Sequence, residues 1–367
     1  MNISILLILM FTAIATSVLG VYLVLRKMSM LVDSISHTVL LGIVLAFLVV
    51  SDLSSPILIL GAALMGLITV FLTEIIVKSK KASEDSATGL IFPLLFSIAV
   101  ILISTEFSNV HLDIDAVLLG KIEFAPFDQL TLFNQDIGPK LLYVMGIVML
   151  INLIYIKLFY KELKIVSFDA ALASTLGIAP FIIHYTLMSL VSVTAVAAFN
   201  AVGSILVVAL MIGPAATAII LTKNIKHTLL LAAIIGMVNS FLGYVLALRL
   251  DVNISGMIAT MTLIVFLFVL LVEPKKGIIT SIYKRKKQKE SFEFIAFIFH
   301  VYNHVEQQHE INMDYIGKEL NWSNEKLNKQ VQFGLKQKYI LIKNNMIYLT
   351  NIGKTFYQLK VEELSIN

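Results

Sequence analysis

The sequence predicts an all-α polytopic membrane protein with eight or nine transmembrane helices and a smaller C-terminal domain of mixed α and β structure. Of its 367 residues, 58% are hydrophobic and 14% are charged. A soluble domain has about a quarter of its residues charged, and a disordered chain has low hydrophobicity, so both classes are excluded. The apolar residues also fall in runs of about 20, the length that a helix needs to cross a hydrocarbon layer of ~30 Å.

Nine apolar segments are long enough to span a membrane. They are too long and too continuous for the strands of a transmembrane barrel, so we predict helices. The first is expected to be a retained span and not a signal peptide, because no basic segment precedes it. The stretch 181–222 is too long for one crossing and is divided near Asn200, and eight spans remain if one short segment is re-entrant. The segments are 3–25, 31–50, 56–77, 86–105, 140–159, 181–199, 201–222, 228–248 and 254–272.

Basic residues orient these spans, because short cytoplasmic loops carry more lysine and arginine than loops on the other side. With the C-terminus in the cytoplasm, twelve basic residues lie in connections on that side and three on the other. We therefore predict a cytoplasmic C-terminus. The twelve are Arg26, Lys27, Lys78, Lys80, Lys81, Lys157, Lys161, Lys164, Lys223, Lys226, Lys275 and Lys276, and the three are Lys121, Lys140 and Arg249.

Hydropathy and charge both change near residue 280. Residues 1–283 carry 15 basic and 15 acidic residues, whereas residues 284–367 carry 13 and 9. We predict a transmembrane domain over 1–275, a basic juxtamembrane linker over 276–290 and a soluble domain over 291–367. The basic run 284–289 is typical of an anchor against anionic lipid.

The second span begins with an acid and a histidine. Asp33 and His37 are four residues apart, so a helix places them on one face. Counted from Ser29, they lie about 6 and 12 Å inside the helix. Ionisable groups at such depth usually face a polar cavity or one another. A carboxylate oxygen and an imidazole nitrogen aimed at one point are two ligands for a divalent first-row metal ion.

The alternative is an Asp33–His37 hydrogen bond that neutralises two buried groups. Two ligands do not complete a coordination shell, so other helices would have to contribute. His184, Asn200 and Asn239 are further intramembrane candidates, and interhelical hydrogen bonding is the plainer explanation of each. The sequence has no cysteine, which excludes disulfides and thiolate metal ligands.

Several longer motifs occur in a fixed order along the chain. They are Gly20-Val-Tyr-Leu-Val-Leu-Arg-Lys-Met-Ser-Met-Leu-Val-Asp-Ser-Ile-Ser-His37, Glu84-Asp-Ser-Ala-Thr-Gly89, Asp115-Ala-Val-Leu-Leu-Gly120, Phe168-Asp169 with Ala173 and Gly177, and Ala201-Val-Gly-Ser-Ile-Leu-Val-Val-Ala-Leu-Met-Ile-Gly-Pro-Ala-Ala-Thr-Ala218. Over about residues 15–275 the chain resembles the membrane permease subunit of ABC importers for manganese, zinc and iron, the ABC-3 type. It departs from the family pattern after the histidine, where the usual His-Ala-x-Leu-Pro is here His37-Thr-Val-Leu-Leu.

The resemblance implies a function and a set of partners. Asp33 and His37 would line a metal pathway at the interface of two permease copies in the cell membrane of a prokaryote. A separate extracytoplasmic metal-binding protein would deliver manganese or zinc, which are cargo, so no permanently bound cofactor is expected. Two cytoplasmic ATPase subunits would drive transport, and they would bind a short helix that carries Phe168, Asp169, Ala173 and Gly177.

The coupling segment 161–178 also has helix signals of its own. Asp169 is a candidate N-cap and Gly177 a candidate C-terminal stop. The alternative to ATPase docking is an ordinary helix on the membrane surface. Farther along, Pro214 follows Gly213 within the seventh span, where a proline can kink a helix. Gating and packing both explain this proline.

A nucleotide site of the P-loop type needs Gly-x-x-x-x-Gly-Lys-Ser/Thr. The nearest match is Gly353-Lys354-Thr355, which has Tyr348 where the first glycine belongs. We therefore expect that the chain is not an enzyme by itself and that a partner hydrolyses ATP.

The C-terminal region has the signals of three helices, a hairpin and a final helix. The predicted elements are helices 292–305, 313–320 and 323–338, strands 339–343 and 346–350 around the turn Asn344-Asn345, and a helix from Asn351. This order resembles a winged helix. Because its positive charge is modest, we expect protein contact or regulation and not nucleic-acid binding. His300, His304 and His309 suggest metal sensing, with ordinary surface histidines as the alternative.

Three functions remain open from these observations. The first is the permease subunit of an ATP-driven metal importer. The second is an ATP-independent carrier or channel, which would transport without an ATPase. The third is a membrane-tethered winged-helix regulator, which would bind a defined DNA site. Asp and His suit manganese and zinc equally, so the residues do not choose the ion.

Overall fold

The computed structural model describes residues 2–51, 55, 57–106, 122–132, 135–274, 277–306, 313–343 and 346–365. The chain divides into two compact units, Met1–Glu273 and Pro274–Asn367. The predicted turn Asn344-Asn345, the motif Asp115–Gly120 and His309 lie outside the described residues.

Within the described residues, the first unit has nine helices that are long and apolar enough to cross a membrane. This confirms the predicted helical, multi-span architecture. The helices are α1 Ile3–Leu25, α2 Ser29–Val50, α3 Ile57–Lys78, α4 Glu84–Glu106, α5 Lys140–Leu158, α8 Pro180–Val202, α9 Ser204–Leu221, α10 Ile225–Leu250 and α11 Ile254–Val272. Two short helices, α6 Tyr160–Phe168 and α7 Ala170–Thr175, connect α5 to α8.

The break between the sixth and seventh spans lies later than the sequence predicts. Helix α8 continues through Asn200 to Val202, and the chain turns at Gly203. Gly203 has φ +79°, a left-handed value that is strained for any residue with a Cβ. The turn therefore falls at the glycine and not at the asparagine.

A short ordered segment precedes α5. It consists of a 3₁₀ helix, Ile122–Phe127, and a two-stranded antiparallel hairpin of β1 Gln129–Leu132 and β2 Gln135–Pro139. The orientation predicted from the basic residues places the connection 106–139 on the outward side. Two of its six acidic residues, Asp113 and Asp115, lie outside the described residues.

Helix α1 is at the centre of the first unit and packs against α5, α9 and α10. Its backbone lies so close to α9 that a Cβ on Gly20 would be 1.7 Å from the Met211 carbonyl oxygen. Helices α2 and α3 approach equally closely at Gly42, where a Cβ would be 2.4 Å from the Gly61 carbonyl oxygen. Small residues permit such contacts between membrane helices, where dispersion replaces the hydrophobic effect as the driving force.

Polar side chains also join the spans. Asn152 of α5 donates from Nδ2 to the Ala15 carbonyl at 3.1 Å and to the Thr194 hydroxyl at 2.9 Å, which connects α5 to α1 and α8. The Thr69 hydroxyl of α3 donates to Thr38 of α2 at 2.7 Å. In an apolar environment such bonds satisfy groups that would otherwise be costly to bury.

The second unit has its elements in the predicted order. They are α12 Ile278–Glu306, α13 Met313–Glu319, α14 Asn324–Lys336, β3 Ile340–Lys343, β4 Met346–Leu349 and α15 Asn351–Ser365. The two strands pair antiparallel, with Ile340 opposite Leu349 and Lys343 opposite Met346. Ser323 caps α14, and its hydroxyl accepts from the Lys326 amide at 3.4 Å.

A small apolar core holds these elements together, and Phe297, Ile298 and Val301 of α12 are fully buried in it. The predicted linker 276–290 is largely helical, because α12 begins at Ile278. The winged-helix assignment stays a prediction.

Candidate functional site

The acid and the histidine of the second span lie on one face of α2. The Asp33 Oδ1 and His37 Nε2 atoms are 3.6 Å apart, and the side chains are 44% and 29% exposed. Their neighbours on the same helix, Val32 and Ser36, are buried. The two groups therefore share the half-open side of α2, as their spacing predicts.

The distance between these groups leaves both explanations of the pair open. At 3.6 Å the Asp33 Oδ1 and His37 Nε2 atoms are within the range of an ion pair and slightly beyond that of a hydrogen bond. Both ligand atoms can converge on a third atom, and bonds of about 2.0–2.2 Å would suit a zinc-like ion.

Aromatic rings of α4 flank the histidine. The His37 ring lies 5.2 Å from that of Phe92 and 5.9 Å from that of Phe96, measured between centroids. The rings limit how far the imidazole can turn, and they give one wall of the site an apolar lining.

His184 lies elsewhere, in an ionic network at the start of α8. Its Nε2 atom is 2.5 Å from the Glu74 carboxylate of α3, and its Nδ1 atom is 3.5 Å from Nη1 of Arg26. Both ring nitrogens thus contact charged side chains. This geometry favours interhelical bonding, the alternative stated for His184 above, over a place among the metal ligands.

The same network reaches the connection before α7. Arg26, in the turn between α1 and α2, donates from Nε to the Ser167 hydroxyl of α6 at 3.0 Å. Glu74 also accepts from the Tyr185 hydroxyl at 2.9 Å and from Lys78 at 3.0 Å. Burial lowers the pKa of the Arg26 guanidinium, which stays charged because its ordinary value is far above neutral.

Sequence reasoning missed Arg26, Glu74 and Ser167 as members of one group. The available signal is Glu74, the single acidic residue of an otherwise apolar span. Such a residue usually has a partner in a neighbouring helix. The identity of that partner depends on how α1, α3 and α8 pack.

The structure describes the side chain of Asn239 but not that of Asn200. Asn239 of α10 is completely buried, and neither its Oδ1 nor its Nδ2 atom has a hydrogen-bond partner among the described residues. Asn200 lies within α8, and its side chain is outside the described part of the structure. A pathway role for either residue stays a prediction.

The coupling segment has the predicted caps. Asp169 has extended backbone between α6 and α7, and its Oδ1 atom accepts from the Leu172 amide at 2.9 Å. Gly177 follows the helix with φ +78°, and its amide donates to the Ser174 carbonyl at 3.1 Å. These contacts start and stop α7 within six residues.

The short helix has one buried and one exposed side. Ala173 is completely buried, which anchors α7 to its own unit. Phe168, Leu172 and Leu176 are 66%, 49% and 60% exposed and follow one another at four-residue spacing. We call these three residues the exposed apolar stripe. Three large apolar side chains in one row are typical of a surface that another protein covers.

Pro214 is buried in the middle of α9, after Gly213. A Cβ on Gly213 would be 2.2 Å from Cγ2 of Thr262 in α11, so α9 and α11 are in close contact here. This contact accounts for the glycine by packing. A gating role for Pro214 stays a prediction.

The apolar helices of the first unit define a multi-span membrane protein. The chain belongs to the ABC 3 transport family, whose model matches residues 2–273. The match ends where the first compact unit ends, so the second unit lies beyond the family model. The resemblance found in the sequence is confirmed.

Individual relatives agree with this assignment. The manganese transport system membrane protein MntD of Bacillus subtilis is 45% identical over 268 residues, which are 73% of this chain and 90% of that protein. The zinc transport system membrane protein TroD of Treponema pallidum is 37% identical over 365 residues, 99% of each chain. A solved structure, PsaBC from Streptococcus pneumoniae in complex with Fab, has a TM-score of 0.61 at 28% identity and covers 74% of this chain and 92% of its own.

Proposed function

We propose that this chain is the membrane-spanning permease subunit of an ATP-driven importer of divalent transition metal ions. Manganese and zinc are the principal candidates for the ion and iron is a further one, since the relatives above are named for manganese and zinc transport. The observation that carries the proposal is the pair Asp33 and His37, which are partly exposed inside a membrane span.

Exposure of these two groups points to a second permease copy. A carboxylate facing lipid several ångströms inside a span is costly, and ionisable groups in membranes usually face a cavity or a partner. A second copy packed against this side of α2 would cover Asp33 and His37 and place four ligand groups around one path. The metal would then pass between the copies, held by imidazole and carboxylate and released by movement of the helices that carry them.

The exposed apolar stripe is where we place the ATPase. Leu172 lies in α7, which is capped at both ends, while Phe168 ends α6 and Leu176 directly follows α7, so we take this capped segment as the surface for docking. The Arg26–Ser167 bond connects this segment to the turn that precedes α2. Movement of the docked helix would therefore reach the helix that holds Asp33 and His37. Pro214 is the proposed hinge of α9, because proline removes one backbone hydrogen bond.

The remaining partners follow from the same scheme. The chain has no P-loop, so a separate cytoplasmic subunit supplies ATP hydrolysis. An extracytoplasmic metal-binding protein would deliver the ion to the outward side. The bias of basic residues places the C-terminal unit in the cytoplasm, where its winged-helix-like order of elements would serve protein contact or regulation.

Radiometal uptake tests the proposal. The chain is reconstituted in vesicles with its ATPase, and uptake of manganese and zinc is measured with and without ATP. We expect ATP-dependent uptake that falls more than tenfold in Asp33→Asn and in His37→Gln, because each substitution keeps the size but removes a ligand. His227→Gln, which changes an exposed histidine outside the pair, should transport like the unmodified chain.

Three outcomes would contradict the proposal. Uptake at full rate without the ATPase would favour a carrier or channel. Full uptake by both variants would remove Asp33 and His37 from the pathway. Specific DNA binding by a chain that transports no metal would favour the tethered regulator.

A further inference from the structure

The second unit contains a separate group of three metal-ligating side chains. His300 and His304 lie one turn apart on α12, and Glu319 is the last residue of α13. The Nε2 atoms of His300 and His304 are 2.7 and 2.9 Å from the same Oε2 atom of Glu319. Ligand atoms from all three residues lie within 4.8 Å of one another.

We propose that His300, His304 and Glu319 form a binding site for a divalent transition metal ion, distinct from the transport pathway. The proposal rests on the proposed function in one respect, namely that the ion is of the class that the first unit transports. Two imidazoles and one carboxylate are a ligand set that zinc and related ions accept, with a fourth position left for water.

The distances between the ligand atoms are close to those around a bound metal ion. Tetrahedral coordination with bonds of about 2.0–2.1 Å separates neighbouring ligand atoms by ~3.3 Å. The two Nε2–Oε2 distances are only a few tenths of an ångström shorter than that. Small side-chain rotations would open the group enough to admit a metal ion, without moving α12 or α13.

The apolar core of the second unit holds the helices that carry the ligands. Phe297, Ile298 and Val301 lie next to the histidines on α12, with Phe297 one turn before His300, and they are completely buried in the core of the second unit. Ile316 of α13 belongs to the same core. The spacing of α12 and α13, and with it the distance from the histidines to Glu319, is therefore set by apolar packing and not by the polar group itself.

The surroundings suit reversible binding. The His300 and His304 side chains are 20% and 21% exposed and that of Glu319 is 31% exposed. The group is thus shielded yet open to solvent on one side. Burial and the neighbouring His304 lower the pKa of His300, while Glu319 opposes this shift.

The ion would join two helices that are otherwise connected through 307–312. A bond from both histidines to the end of α13 would hold α12 and α13 at a fixed distance. Occupancy would then stabilise the second unit by an amount that, above the dissociation constant, grows with the logarithm of the free ion concentration. A unit covalently attached to a metal permease could in this way respond to the ion that the permease accumulates.

The test is zinc binding to the purified full-length chain in detergent, measured by competition with a chromophoric chelator. The background is the Asp33→Ala/His37→Ala double variant, which removes the proposed pathway ligands. We expect this chain to bind one zinc ion, and we expect His300→Ala or Glu319→Gln in the same background to weaken that binding at least tenfold. Glu319→Gln keeps the size and an acceptor oxygen, so it retains hydrogen bonding to the histidines while removing the ligand charge.

Controls separate this site from the pathway and from unfolding. His227→Ala should leave zinc binding unchanged, and far-UV circular dichroism should match between Glu319→Gln and its parent. Cobalt binding adds a spectroscopic signature, since we expect visible absorption that the Glu319→Gln chain loses. In the chain that retains Asp33 and His37, His300→Ala and Glu319→Gln should remove the zinc of the second unit and leave zinc bound in the pathway.

The proposal is overturned if the pathway double variant binds no zinc, or if Glu319→Gln and His300→Ala bind it as tightly as their parent. In the latter case the three residues are a hydrogen-bonded structural group. If the Asp33 and His37 variants lose metal uptake but still bind zinc at His300, His304 and Glu319, the second site is supported. If Asp33→Asn transports metal at the full rate, the proposed pathway is contradicted and the second site is not affected.

Discussion

Replacement of Glu74 by alanine is the sharpest test of the ionic network between α1, α3 and α8. The carboxylate accepts from Tyr185 and Lys78 and contacts Nε2 of His184. Its side chain is 19% exposed and that of His184 is 15% exposed, whereas that of Lys78 is 69% exposed. Glu74→Ala therefore leaves a largely buried imidazole and a phenol hydroxyl without their acceptor, and releases a lysine that is already in solvent.

The cost can be estimated contact by contact. A hydrogen bond to a charged group contributes about 1.5–3 kcal/mol and a neutral one about 1 kcal/mol. An exposed pair such as Lys78–Glu74 contributes less than about 1 kcal/mol. The loss is therefore roughly 3 kcal/mol, which should lower the thermal unfolding midpoint of the first unit by roughly 6 °C.

Thermal unfolding of the detergent-purified chain measures this effect. Lys78→Ala is the matched control, because it removes only the exposed partner and should shift the midpoint by less than about 2 °C. Tyr185→Phe should have an intermediate effect, since it deletes one of the hydrogen bonds to the Glu74 carboxylate. A shift in Glu74→Ala no larger than that in Lys78→Ala would refute the view that the buried contacts of Glu74 stabilise the helix packing.

Three further predictions concern the packing and the coupling segment. Gly20→Ala should sharply reduce the yield of folded protein in fluorescence-detected chromatography, because its Cβ would be 1.7 Å from the backbone oxygen of Met211. Gly89→Ala is the control and should be tolerated, because its Cβ would have no atom within 4 Å. Leu172→Asp should abolish co-purification of the ATPase with an unchanged unfolding midpoint, and a retained complex would exclude the exposed apolar stripe as the docking surface. Asp169→Ala should destabilise α7 by about 1 kcal/mol and weaken the ATPase complex, whereas Asp169→Asn should restore it, because asparagine also caps helices.

The sequence similarity to relatives differs in extent between the two units. The family model covers 2–273, while the similarity to TroD extends over 365 residues and so includes the second unit. The similarity to TroD therefore extends through both units of the chain.

Much of this architecture could be read from local patterns. Each span is a continuous apolar run, and lipid leaves the backbone no alternative to internal hydrogen bonding, so nine helices follow from composition. Asp169 and Gly177 were recognisable because capping depends on residues adjacent in the chain. The boundary near Asn200 was wrong by three residues, because a polar residue can continue a helix whereas the backbone of Gly203 favours a turn.

Local sequence patterns do not predict side-chain contacts between segments that are far apart in the chain. The sequence by itself determined the class of protein, the spans and the acid–histidine pair, since these depend on hydropathy and on helical spacing. Only the tertiary structure decided that Asp33 and His37 are 3.6 Å apart, that His184 pairs with Glu74, and that Glu319 meets two histidines of α12. The physical reason is that side-chain partners are chosen by how whole helices pack, and packing sums many weak contacts between residues far apart in the chain.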